Sequence, residues 1–119
     1  MSIKPITNSS SKSNILSLDF GETKIGFAIG NNITKTTHPL KAIISSKKTE
    51  RFKAIEELIN EWSPGLIVIG LPLNENGTES RLTLLVKKFS KKLSVFEREF
   101  PFLRTRKFPF GGKQNKNRQ

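Results

Sequence analysis

The sequence predicts a small α/β domain, a mixed sheet with flanking helices, and three of its features carry that prediction. Residues 15–20 form a short apolar run and residues 24–29 alternate apolar with small or polar, the two-residue period of strands. Two later stretches, 52–62 and 82–93, repeat their apolar residues at helical spacing. Between them, residues 66–69 (Leu-Ile-Val-Ile) are wholly apolar, as in strands buried inside α/β sheets. At 119 residues and 34% hydrophobic content, the chain has material for one domain.

Residues 1–13 are rich in Ser, Lys and Asn and bury too little apolar surface to offset their ordering entropy, so a flexible arm is expected. Ile15, Leu16, Leu18 and Phe20 make the first strand, which Gly21 interrupts. Ile25, Phe27 and Ile29 fall on one face of a second strand, joined to the first through the turn Gly21-Glu22-Thr23. A third strand is expected over residues 33–37, ended by Pro39, which completes an antiparallel meander. Thr49 suits a helix N-cap, with Glu50 in the first turn where the helix dipole favours negative charge. Phe52, Ile55, Leu58, Ile59 and Trp62 are the apolar face of that helix, and Ser63-Pro64-Gly65 stops it. The strand at 66–69 is expected to be central and covered by helices on both faces. The loop 70–78 follows the carboxyl end of this strand, where open α/β sheets place ligands.

Ser80 can cap a second helix whose apolar face is Leu82, Leu85, Val86, Phe89 and Leu93, leaving Lys87, Lys88, Lys91 and Lys92 off the stripe. Beyond Ser94, phenylalanines alternate with Arg, Lys and Pro, and no further strand or helix is predicted. Residues 94–119 are expected as a disordered basic tail.

Twenty-one Lys and Arg stand against ten acids, a net charge of +11 that favours a phosphate-bearing partner. Residues 1–80 hold nine bases and eight acids, whereas 81–119 hold twelve bases and two acids, so the excess sits in the last third. With no cysteine, disulfides and thiolate metal sites are excluded. No apolar run approaches the roughly 20 residues of a membrane span, and the polar start lacks a signal-peptide core, so a cytoplasmic protein without a membrane partner is expected.

Two constellations could carry chemistry. In Asp19-Phe20-Gly21-Glu22-Thr23-Lys24-Ile25-Gly26, the chain's single aspartate ends a strand and is followed by a glycine turn. A carboxylate held there could ligate hard cations that activate water in phosphodiester cleavage. An Asp-x-Gly after a strand is equally a turn signal, and the residues alone leave both open. In Gly70-x-Pro72-x-Asn74-x-x-Gly77-Thr78-Glu79-Ser80, glycines permit close backbone approach while Asn, Thr and Ser offer donors to phosphate. An ordinary surface loop ending in a helix cap fits the same letters. His38, the one histidine, lies beside Pro39 and is read as a loop residue.

In this order and spacing, these segments resemble the YqgF/RuvX family, pre-16S rRNA nucleases also described as Holliday junction resolvase-like. The resemblance is carried by Leu18-Asp19-Phe20-Gly21-x-x-Lys24-Ile25-Gly26-x-Ala28, Pro39-Leu40, Glu61-Trp62-x-Pro64, and Ile67-Val68-Ile69-Gly70-Leu71-Pro72-Leu73-Asn74-x-x-Gly77-Thr78-Glu79, with Val86-x-x-Phe89 in the helix after. It implies a ribonuclease H-like fold over residues 14–93 and hydrolysis of phosphodiesters with Mg²⁺ or Mn²⁺. It further implies a role in 16S 5′-end processing, on precursor 16S rRNA within the pre-ribosome. Asp19 is then the expected catalytic residue and metal ligand, with Lys24, Gly70, Pro72, Asn74, Gly77, Thr78 and Glu79 near substrate.

The family continues past the second helix into a strand, an Asp-Glu-Arg motif and a final helix with another aspartate. This chain has no Asp after Asp19, and Glu97-Arg98 is the nearest trace of the middle motif. Glu97 is therefore the second candidate catalytic carboxylate. The last strand and helix are expected to be missing, as a truncation or frameshift after about residue 93 would leave it, with part of the sheet uncovered. Three functions compete: a nuclease, a non-catalytic RNA-binding protein using the basic C-terminal third, and a phosphate loop like that of sugar kinases and actin ATPases. The last needs two large lobes that 119 residues do not supply.

Overall fold

In the computed structural model, which describes residues 13–111, β1 (Asn14–Phe20), β2 (Lys24–Asn31) and β3 (Thr36–Ile44) form the expected meander. Helix α1 (Lys48–Trp62) then leads to β4 (Leu66–Leu73), and α2 (Arg81–Leu93) and the short α3 (Val95–Glu99) lead to β5 (Arg104–Gly111). The strands make one mixed sheet in the order β3-β2-β1-β4-β5. β1 pairs antiparallel with β2 and parallel with β4, and β5 lies parallel to β4 along its whole length.

Several expectations are corrected. β3 runs from Thr36 to Ile44 and passes through Pro39, which pairs with Ala28. It is an edge strand, where a residue without an N–H can sit inside the ladder with that side facing solvent. His38 accordingly lies on a strand, exposed opposite Ile29. Helix α1 begins one residue before Thr49, and its N-cap, Lys47, makes no side-chain capping bond. Residues 95–111, expected as tail, instead form α3 and β5, because Phe96 and Leu103 are buried in the core. The last strand expected to be missing is thus present as β5. The arm expected over 1–13, Ser13 apart, and the tail beyond Gly111 lie outside the described residues.

Among the described residues the sheet is covered on one face. Leu16 and Leu18 of β1, Ile25, Phe27 and Ile29 of β2, and Ile67, Ile69 and Leu71 of β4 alternate into the core. Ile55 and Ile59 of α1 and Val86, Phe89 and Leu93 of α2 meet them. Phe89 is the junction: its ring centroid lies 4.9 Å from Phe20 and 5.2 Å from Phe52, and Phe96 of α3 lies 6.1 Å beyond Phe52. The alternate residues of β4, Leu66 and Val68, are only half-buried, which corrects the expectation of helices on both faces.

Candidate active site at the strand ends

Asp19 occupies the last turn of the pleat before Phe20. Because Leu18 points into the core, Asp19 points to the open face and is exposed. Its antiparallel partner is Gly26 on β2, and a side chain built on Gly26 would begin 3.7 Å from the Asp19 Cβ. On the other flank the parallel register Leu18↔Ile69 sets Gly70 level with Asp19. The carboxylate therefore stands between two glycines: the Gly26 side is open to close approach by a ligand backbone, whereas Gly70 is covered by the Phe110 ring of the last strand.

The turn behind Asp19 is fixed from two sides. The Gly21 N–H donates to the Lys24 carbonyl at 2.8 Å, and a Cβ on Gly21 would lie 2.8 Å from that same oxygen. Only glycine fits this turn. On the helix side Arg51, 4% exposed, donates through Nη2 to the carbonyls of Gly21 (2.7 Å) and Glu22 (2.8 Å). Its Nε donates to the Ser45 carbonyl at 2.5 Å, and its guanidinium lies 4.9 Å from the Phe20 ring centroid. Burial lowers the Arg51 pKa from its ordinary value, yet guanidinium stays charged in proteins. Arg51 holds the residues after Asp19 by their backbone, a role invisible in the sequence because Arg51 occupies an ordinary charged position of an amphipathic helix.

The loop after β4 is closed on itself. Asn74 N donates to the Thr78 carbonyl and Gly77 N to the Asn74 carbonyl, both at 2.8 Å. Asn74 Nδ2 donates to Thr78 Oγ1 at 3.0 Å, and the Thr78 hydroxyl bonds Asn76 Oδ1 at 2.6 Å. Gly77 has φ +88°, a conformation that favours glycine. The side-chain groups of Asn74 and Thr78, expected to meet phosphate, are thus engaged within the loop, and Glu79 pairs with Lys87 of α2. Pro72 contributes its carbonyl, which accepts from the hydroxyl of fully buried Thr83. Thr83 also forms a capping box with Ser80 at the start of α2. Thr83 was not singled out by the sequence, although a Ser-x-x-Thr spacing at a helix start is a usable signal.

Lys24 begins β2 with an exposed side chain. Gly70 lies under the ring of Phe110 on β5: a Cβ there would be 2.9 Å from a ring carbon. Phe108 and Phe110 are 53% and 51% exposed, which places two rings from the expected tail beside the strand that flanks Asp19.

Glu97 is not brought to Asp19. Its carboxylate accepts the Thr105 N–H and hydroxyl, each at 2.7 Å. Thr105 pairs with Ile67, whose side chain is on the helix-covered face, opposite to that of Asp19. The Thr105 hydroxyl chiefly, with its N–H and the charges of Arg104 and Arg106, outweighs partial burial and holds Glu97 below the usual carboxylate range. Among the described residues no three His, Cys, Asp or Glu converge as a metal site. Nor is any helix among them long and apolar enough to cross a membrane.

Residues 13–102 match the RuvX family, described as Holliday junction resolvase. A curated protein of Methylobacillus flagellatus named "Putative pre-16S rRNA nuclease" is 44% identical over 89 residues, covering 75% of this chain and 61% of that protein. One of the same name from Enterobacter sp. is 46% identical over 79 residues, 66% of this chain and 57% of that protein. The chain thus spans less than two thirds of the length of these relatives. Among solved structures, Thermus thermophilus RuvC in complex with a Holliday junction superposes with TM-score 0.54 at 12% identity, covering 81% of this chain and 64% of that one. At that identity the likeness is one of fold, and it makes the mixed sheet ribonuclease H-like.

Proposed function

Because this chain belongs to the RuvX family, we propose that it is a pre-16S rRNA nuclease whose reaction is hydrolysis of a phosphodiester in precursor RNA, with Asp19 as the reacting site's carboxylate. The observation that carries this is the placement of Asp19 between Gly26 and Gly70, at the open ends of β1 and β4. On the Gly26 side a nucleic acid backbone can lie against the sheet while the carboxylate orients water or holds a proton. Exposed Phe108 and Phe110 on the neighbouring β5 offer rings on which bases stack. Lys24, at the start of β2, and the backbone of the 70–79 loop lie at the same end of the sheet, so contact with the strand falls to them more than to the engaged side chains of Asn74 and Thr78.

A divalent cation, implied by the family, would supply water activation and charge neutralisation. Among the described residues no three acidic or imidazole groups converge, Asp19 being one carboxylate and Glu97 lying on the other face, so the protein alone does not enclose such an ion, and most of its six or more oxygens would have to come from water and phosphate. The same single-carboxylate arrangement, joined to the net charge of +11, favours a second reading in which the chain holds RNA without cutting it.

The test is cleavage of a labelled precursor fragment spanning the 16S 5′ end, with and without magnesium or manganese, by the parent and by Asp19→Asn. Cutting lost in the variant supports the nuclease. RNA retained by both, with strong salt dependence and no cutting, establishes the second reading.

A further inference from the structure

On the helix-covered side of the sheet, away from the open face of Asp19, a cavity of about 300 Å³ opens between the β1–β2 turn, the first turn of α1 and one edge of the apolar stripe of α2. Its floor is apolar, made by Phe20, Leu85 and Phe89. Its rim is cationic: Lys48 from α1 meets Arg81, Lys88 and Lys92 from α2. Arg51 also lines it, but that guanidinium is committed to the carbonyls of Gly21, Glu22 and Ser45. The one carboxylate in the lining, Glu22, lies 3.6 Å from Arg81. Lys48, Lys88 and Lys92 therefore converge with no acid of the cavity between them.

Such crowding has a cost that an anion would remove. Contact with Lys48, through its amine and then its charge, holds the Lys92 ammonium below the ordinary lysine range, with some desolvation and Lys88 adding to the effect. Lys87 and Lys91 lie away from this rim, so α2 contributes Arg81, Lys88 and Lys92 to it. Here a lysine from a second helix is brought onto the same rim.

We propose that this cavity binds a nucleotide, its phosphate oxygens held by Lys48, Lys88 and Lys92 and its base lying on the floor of Phe20, Leu85 and Phe89. The volume suits a small ligand, and a phosphate is the anion that several cations jointly hold best. The nucleotide has two sources, a free nucleoside triphosphate or one unit of a single RNA strand, and both present the same phosphate and base. Binding here does not depend on hydrolysis at Asp19, which lies on the other face.

The experiment measures binding of two probes, ATP by calorimetry and a fluorescein-labelled single-stranded oligoribonucleotide by anisotropy, to the parent chain and three variants. Lys88→Gln/Lys92→Gln removes two rim charges, and Lys35→Gln/Lys41→Gln removes two charges at the β3 side of the sheet. Asp19→Asn leaves the cavity untouched, and circular dichroism verifies that each variant is folded. The rim variant is expected to bind at least one probe about tenfold more weakly, with a salt slope for RNA smaller by about 1.4, at roughly 0.7 per phosphate contact. The control pair is expected to stay within about twofold of the parent for both probes, and Asp19→Asn for ATP. ATP binding identifies free nucleotide as a ligand, and RNA binding alone identifies a strand. Equal weakening by the rim and control pairs, or no binding of either probe by the parent, overturns the proposal. Loss of cutting in Asp19→Asn with binding retained keeps this outcome separate from that of the nuclease reading.

Discussion

Replacing Arg51 by methionine removes the clamp on the turn behind Asp19 while keeping much of the buried side chain's volume. Arg51 makes three hydrogen bonds to main-chain carbonyls, at 2.5, 2.7 and 2.8 Å, and stands 4.9 Å over the Phe20 ring. Bonds from a charged donor contribute about 1.5–3 kcal/mol each, but the guanidinium is desolvated in a site without a carboxylate partner, which offsets part of that. At about 1 kcal/mol net per bond, Arg51→Met should cost about 3 kcal/mol. For a domain of this size that corresponds to a fall in Tm of about 12 °C, at roughly 4 °C per kcal/mol. Arg51→Lys keeps the charge but lacks the planar fork needed to reach carbonyls of two loops, so it should recover no more than half of the loss. Urea denaturation and thermal melts followed by circular dichroism measure both. A change below about 0.5 kcal/mol in Arg51→Met would show that the Gly21 N–H to Lys24 carbonyl bond fixes the turn by itself.

Thr83→Val should destabilise the chain by about 2 kcal/mol, because it removes the capping box with Ser80 and leaves the Pro72 carbonyl without its donor. Amide hydrogen exchange at the start of α2 should accelerate; unchanged exchange would place the loop's stability elsewhere. Glu97→Gln should cost about 1 kcal/mol at pH 7, since a neutral amide accepts more weakly from Thr105 than the carboxylate does. Because the folded pKa of Glu97 is depressed, the carboxylate's contribution is complete above its unfolded value of about 4.3 and is lost as pH falls through the folded value. The stability gap between parent and Glu97→Gln should therefore close below about pH 4; a gap independent of pH would deny the charged pairing.

β2 and both long helices were legible because their apolar residues recur at one period, and β1 and β4 because each is a short apolar run. Leu16 and Leu18, Ile25 to Ile29, and Val86 to Leu93 are buried as that periodicity requires. The two misplaced ends have local causes. Pro39 reads as a strand terminator but is accommodated at a sheet edge, and Thr49 reads as a cap but falls inside the first helical turn. α3 and β5 were illegible for a different reason. A five-residue helix shows no period, and β5 is an edge strand whose Arg104, Arg106, Lys107 and Pro109 are the residues that edges use to resist further pairing. The apolar run before Asp19 put it at a strand end, and its facing the open side became visible only with Leu18 buried beside it. Glu97 looked like its partner in sequence, yet no local pattern reports which side of a sheet a short helix will pack against. Arg51 and Thr83 act on main-chain carbonyls 29 to 30 and 11 residues away, and no side-chain motif records such bonds.

Cleavage of the labelled 16S precursor by the parent and by Asp19→Asn, with RNA affinity measured on the same samples, tests most directly that the carboxylate between Gly26 and Gly70 is the reacting site. The expected result is cutting by the parent, lost by at least about 10²-fold in the variant, as for removal of a directly participating acid or base, with affinity for the fragment unchanged. Cutting by Asp19→Asn at the parent's rate would contradict it.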